Sequence, residues 1–176
     1  MYKYLVRRQL RKHYKSSVRK KHFLNLKNIH TMLVLFDTRN LDEATAFIKS
    51  MKDLKKKVTV YAYQSSGDDK DYSRKGYNII TAKDTDDFFQ KKLKDMVGEL
   101  KKMSFDAVID LSAQSNFSLE YLLAYAPATM KIGLKKNDLP QYDLSLSLPN
   151  VEGDAPTVRE LATEIVHYLD TIQIAR

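Results

Sequence analysis

The chain has 176 residues, no cysteine, 43% hydrophobic and 30% charged residues, and a formal net charge of +8. That length suits one domain, and the apolar fraction is enough for a core, which excludes a wholly disordered chain. Five Gly and four Pro exclude collagen-like and low-complexity classes. Without cysteine there is no disulfide frame, zinc knuckle or thiol nucleophile.

The charge is unevenly placed. Residues 1–36 hold ten Lys/Arg and no Asp or Glu, whereas the remainder holds 20 basic and 22 acidic residues. The sequence therefore reads as a basic helical arm, residues 1–22, followed by a single, nearly neutral Rossmann-like α/β domain, residues 23–176. Such asymmetry points to an anionic partner. In the arm, Val6, Leu10, Tyr14 and Val18 recur every four residues, which predicts a helix ending between Lys20 and His22. Arg7, Arg11, Lys15 and Arg19 follow the adjoining strip, with Arg8 and Lys12 beside them and Lys20 and Lys21 at its end. This helix can lie on its own domain or on a second copy, forming a homodimer. It can also contact the phosphates of a nucleic acid or rest on an anionic membrane surface. Arg or Lys interrupts every candidate signal-peptide core, and no run approaches the roughly 20 apolar residues of a membrane span. The expected location is cytoplasmic.

His30–Phe36 is a nearly continuous apolar run, as expected of a strand buried on both faces. Asn40, with Glu43 three residues on, predicts a capping box for a helix buried through Leu41, Ala44, Ile48 and Met51. Lys57–Tyr63 is a β-branched and aromatic strand, Gln64–Gly76 a long polar loop, and Tyr77–Thr81 a short strand. A helix is expected from Asp84 to Met103, with acidic residues in its first turn and Phe89, Leu93, Met96, Val97, Leu100 and Met103 inward. Asp106–Leu111 is a core strand, and Asn116–Ala126 a helix apolar on most sides. Thr129–Leu134 and Tyr142–Leu148 read as strands, and a last helix starts at Thr157 with Glu160 three residues later. Strands alternating with helices predict a doubly wound, mostly parallel sheet of about six strands in the order 3-2-1-4-5-6.

Two stretches carry a resemblance: FLNLKNIHTMLVLFD at Phe23–Asp37 and FDAVIDLSAQSNFSLEYLLAYAPATMKIGL at Phe105–Leu134. Together they resemble a small uncharacterised bacterial family, a domain of unknown function with a basic arm and an IDLS…NF…Y motif. More distantly, the second stretch is similar to the N-terminal half of the heptosyltransferases, whose corresponding segment is also a strand, an apolar helix and a strand ending in Ile-Gly. That resemblance implies a glycosyltransferase-like half-domain. The turn after the first strand departs from it, reading Asp37-Thr38-Arg39-Asn40 where those enzymes have Gly-Asp.

Chemical motifs are sparse. Gly67, Gly76, Gly98, Gly133 and Gly153 are isolated, so no dinucleotide or P-loop turn is present and no cofactor is expected. His13, His22, His30 and His167 lie apart, and no metal site is expected. Asp84-Thr85-Asp86 matches a loose D-x-D string but sits where a helix cap belongs. Asp68, Asp69 and Asp71 lack the spacing of a calcium loop.

One candidate is positional. Doubly wound sheets bind ligands beyond the carboxyl ends of their strands, where strand order reverses. That crevice would be lined by Asp37, Thr38, Arg39 and Asn40 on one side and by Asp110, Ser112, Gln114, Ser115 and Asn116 on the other. Asp110 interrupts an apolar run and must find donors or its pKa will rise. It and Asp37 could hold a hydroxyl or act as a general base, or Asp110 could accept backbone N–H groups in the next turn. The leading expectation is a non-catalytic binding or adaptor module whose arm contacts an anionic partner such as RNA. The alternative is a small-molecule protein or reduced glycosyltransferase-like enzyme using the Asp37/Asp110 crevice for a sugar or nucleotide.

Overall fold

The structure, a computed structural model, describes residues 2–81, 89–148 and 156–172. Six strands form one parallel sheet: β1 (Thr31–Asp37), β2 (Lys57–Gln64), β3 (Asn78–Thr81), β4 (Phe105–Asp110), β5 (Ala128–Leu134) and β6 (Leu144–Leu146). Their order is β3-β2-β1-β4-β5-β6, the doubly wound arrangement that the alternation of elements implies. Val34 pairs with Ile109 across the β1–β4 junction, where the winding changes direction.

Among the described residues there are five α-helices: α1 (Tyr2–Ser16), α2 (Leu41–Asp53), α3 (Phe89–Leu100), α4 (Phe117–Tyr125) and α5 (Val158–Thr171). Alternation along β1 divides the core in two. Met32, Val34 and Phe36 meet Phe47 and Ile48 of α2 and Leu161 and Ile165 of α5. Leu33 and Leu35 point the other way, toward Leu93 and Val97 of α3 and Leu119 and Leu122 of α4. Outside α4 lies a further layer, in which Leu10 of α1 packs on Ala124 among Tyr121, Tyr125 and Leu139. This explains why α4 is apolar on most sides: sheet and α1 cover opposite faces.

Several local expectations change. The arm helix ends at Ser16, short of Lys20 to His22, and Val18 is 100% exposed, so the apolar stripe stops at Tyr14. Asn40 makes no side-chain cap, and no capping box forms on α2. Glu43 Oε2 instead accepts the Arg159 backbone N–H at 3.1 Å, capping the neighbouring helix α5. The capping box expected at Thr157 and Glu160 is present. The polar loop after β2 contains a 3-10 turn at Ser73–Lys75. The helix expected from Asp84 is described from Phe89 and ends at Leu100, so Met103 is not part of it. The Asp84-Thr85-Asp86 string lies outside the described residues.

Candidate functional site

At the carboxyl edge of the sheet, the loop after β1 and the loop after β4 diverge, and a recess of ≈ 320 Å³ opens between them. Asp37, Arg39 and Asn40 line one wall, Ser112, Ala113, Gln114 and Asn116 the other, and Glu43, Pro156, Thr157 and Val158 close the third side. Parallel winding puts the starts of α2, α4 and α5 around this recess. The caps of two are already satisfied within the chain. Asn116 Oδ1 accepts the N–H groups of Ser118 at 3.0 Å and Leu119 at 3.2 Å, and Thr157 caps α5 with Glu160.

Asp37 is buried and serves the turn. Its Oδ1 accepts the backbone N–H and Nε of Arg39 at 3.0 and 2.9 Å, and its Oδ2 accepts the terminal guanidinium nitrogen at 2.9 Å. This hydrogen-bonded fork raises the pKa of Arg39. Thr38 does not line the recess. Its hydroxyl donates to Asp68 Oδ2 at 2.7 Å, where Tyr72 also donates at 2.6 Å, and these bonds hold the Asp68 carboxyl below its usual value.

Asp110 does not line the recess either, a correction to the crevice read from sequence. It has no exposed surface and forms the centre of a buried polar cluster beneath the β4–α4 loop. Its Oδ2 accepts from Lys136 Nζ and from the Tyr142 hydroxyl, both at 2.6 Å, and its Oδ1 accepts the Ser112 N–H at 2.9 Å and the Ser112 hydroxyl. Burial pushes the carboxyl pKa up, but the Lys136 ammonium and the hydrogen bonds outweigh it and hold the pKa below its ordinary value. The donors required for a charged Asp110 are thus supplied. The same contacts engage both of its carboxylate oxygens within the chain.

Lys136 and Tyr142 went unnoticed in sequence. The available signal was adjacency: Asp110 pairs with Gly133, so residues following β5 end beside the end of β4. Ser115, outside the recess lining, donates to the buried Glu120 carboxylate. Among the described residues no group of His, Asp or Glu is arranged to hold a metal ion.

The basic arm divides. Arg7, Arg8, Arg11, Lys12, Lys15, Lys20 and Lys21 are exposed. Arg19 is not available in the same way. Its guanidinium donates to the carbonyls of Ala128 and Thr129, both at 2.9 Å, and pairs with Asp143, fastening the segment after α1 to the sheet. His13 Nε2 donates to the Ala124 carbonyl at 2.9 Å. Burial, first, and the nearby Lys131 and Lys101 charges lower the His13 pKa.

Fold and recess define a doubly wound α/β protein with an additional basic helix docked outside α4. The chain belongs to the family of unknown function DUF6913, whose model matches residues 3–172. No curated protein and no solved structure matches it. Similarity to the heptosyltransferases is thus not shown. Among the described residues no helix is long and apolar enough to cross a membrane.

Proposed function

We propose that this is a non-catalytic binding protein whose α1 face holds an anionic partner, RNA. One observation carries the reading: α1 is clamped in place while its cations are presented outward. Leu10 is fully buried, His13 bonds to α4, and Arg19 anchors the segment beyond. Arg7, Arg8, Arg11, Lys12 and Lys15 remain exposed on a helix that contains no acidic residue. A fixed row of cations releases counterions from a phosphate backbone without first paying to order a flexible tail.

The test replaces those five side chains with Gln in the full chain. Deleting residues 1–22 is a poorer test, because it also removes Leu10 and Arg19 from the fold. The native chain is expected to be retained on RNA with steep salt dependence. Removing a cation that neutralises one phosphate should reduce the slope of log K against log salt by about 0.7 for single strands. Retention that survives the replacement intact removes the reading.

A second reading rests on the recess. Its Asn40 and Gln114 amides suit a polar small molecule, a sugar or nucleotide, in keeping with a reduced glycosyltransferase-like protein. A bound nucleotide-sugar should raise the melting temperature, and Gln114→Ala with Asn40→Ala should abolish the rise. A panel of such ligands giving no shift discards it.

A further inference from the structure

The topology brings further cations, far apart in sequence, to the edge of the sheet opposite the recess. The segment after α1 crosses the strand starts. Arg19 bonds at Ala128 and Thr129, where β5 begins, and farther along the same segment the Leu26 carbonyl accepts Lys56 Nζ at 2.6 Å. Along that edge Thr31 of β1 is in register with Lys57 of β2, and Phe105 of β4 with Ala128. Exposed Lys20, Lys21, Lys27, Lys55, Lys57 and Lys101 therefore share the edge. Lys101 lies 5.1 Å over the ring of Tyr125, against which His13 of α1 also packs. α1, through His13, and the strand-start edge, through Lys101, thus meet at Tyr125.

Acidic groups here are largely engaged. Asp106 accepts the N–H groups of His30 and Thr31 at 2.7 and 2.9 Å, Asp143 is held beneath Arg19 and Lys21, and Glu99 pairs with Lys102. Exposed Asp53 is the carboxylate that remains near Lys55 in the sequence.

Within this band Phe23 is 56% exposed, directly after Lys20, Lys21 and His22. A large aromatic in water among lysines gains nothing for the fold by remaining there. It offers a flat face on which an unpaired base can stack, while the lysines follow the backbone. A duplex hides its base faces and cannot use it.

We propose that the strand-start edge extends the α1 surface into a track for single-stranded RNA, with Phe23 as a stacking residue. The inference rests on the RNA reading of α1 and specifies which form of RNA is bound.

The test measures fluorescence anisotropy of a short labelled oligouridylate and of an RNA duplex with the full chain. Phe23→Ala should weaken oligouridylate binding roughly five- to hundredfold and leave the duplex unaffected. Phe23→Tyr should restore the single-strand affinity. Lys55→Gln, Lys57→Gln and Lys101→Gln together should lower the single-strand salt slope by about 0.7 for each phosphate no longer neutralised. All these side chains are exposed, so an unchanged melting temperature serves as the check on folding. If the five α1 replacements abolish binding but Phe23→Ala and the edge replacements do not weaken it, the track is refuted while the α1 reading stands. If the native chain binds neither RNA, both fail. Equal weakening on duplex and single strand refutes stacking. Polyglutamate binding as tight as oligouridylate and indifferent to Phe23 assigns the edge to an acidic protein and overturns the proposal.

Discussion

Lys136 Nζ stands 2.6 Å from Asp110 Oδ2, in a pair whose side chains are 3% and 0% exposed. Desolvating two charges is costly, and the pair holds because Ser112 and Tyr142 satisfy the remaining carboxylate lone pairs. Removing one partner leaves the other charge buried and uncompensated. Lys136→Met and Asp110→Asn should each lower stability by about 3–5 kcal/mol. The double variant should cost clearly less than the sum, since no isolated charge remains. Urea denaturation of the four chains supplies the cycle. Single variants within about 0.5 kcal/mol of native would show that the cluster does not hold the fold together.

Gly133 lies on β5 in register with Asp110, and the Tyr142 ring occupies the space where a side chain would stand. A Cβ there would meet Tyr142 Cε1 at 2.5 Å. The ring cannot easily retreat, because its hydroxyl is bonded to Asp110. Gly133→Ala should therefore destabilise by about 1–3 kcal/mol through overpacking. In a Tyr142→Ala background the clash disappears, and the added methyl should cost much less. Equal penalties in both backgrounds would refute this account, and thermal denaturation distinguishes the two outcomes.

The sheet order was legible because the local signals agreed with the whole: short apolar runs at His30–Phe36 and Asp106–Leu111 alternate with helical periods. The position of the recess followed from strand order alone. Its occupants did not. Asp110 looked like a ligand-facing carboxylate because its partners, Lys136 and Tyr142, follow in a different strand–loop unit, and only the β4–β5 register brings them over it. Val18 fitted the stripe by spacing, yet the helix stops at Ser16. Periodicity does not report a terminus when no capping residue marks it. Asn40 and Glu43 had the capping-box spacing, but the Glu43 carboxylate found a better donor on α5, a tertiary contact that no local pattern encodes.

Arg19 fastens α1 to the body through two carbonyls and Asp143, whereas Lys20 beside it is exposed. Hydrogen bonds to a charged group contribute about 1.5–3 kcal/mol. Arg19→Ala should thus loosen the segment and raise amide exchange across α1, while Lys20→Ala should leave exchange unchanged. Lys in place of Arg19 should recover only part of the protection, since an ammonium cannot reproduce the planar fork. Hydrogen exchange resolved along α1 measures this directly. Identical exchange in both alanine variants would show that Leu10 and His13 suffice to hold the helix.

Lys131 is buried under the end of α4, where its Nζ donates to the carbonyls of Leu123 and Ala124. Burial, then the Arg19 charge, lower its pKa to about 7, against the opposing attraction of Asp143. The unfolded chain keeps a lysine near its ordinary value of about 10.4. Between those two values the unfolded chain holds a proton that the folded chain has released, so stability rises with pH across the window. The rise is at most about 1.4 kcal/mol per pH unit from this group. Below about pH 7 both states are protonated, and the burial penalty is fully present. Lys131→Met cannot titrate. The native chain should therefore gain stability relative to Lys131→Met as pH is raised from about 7 to about 10, as read from urea midpoints at matched ionic strength. A stability difference that stays constant over this range would mean that the buried amine keeps its proton, neutralised by Asp143 and the two carbonyls.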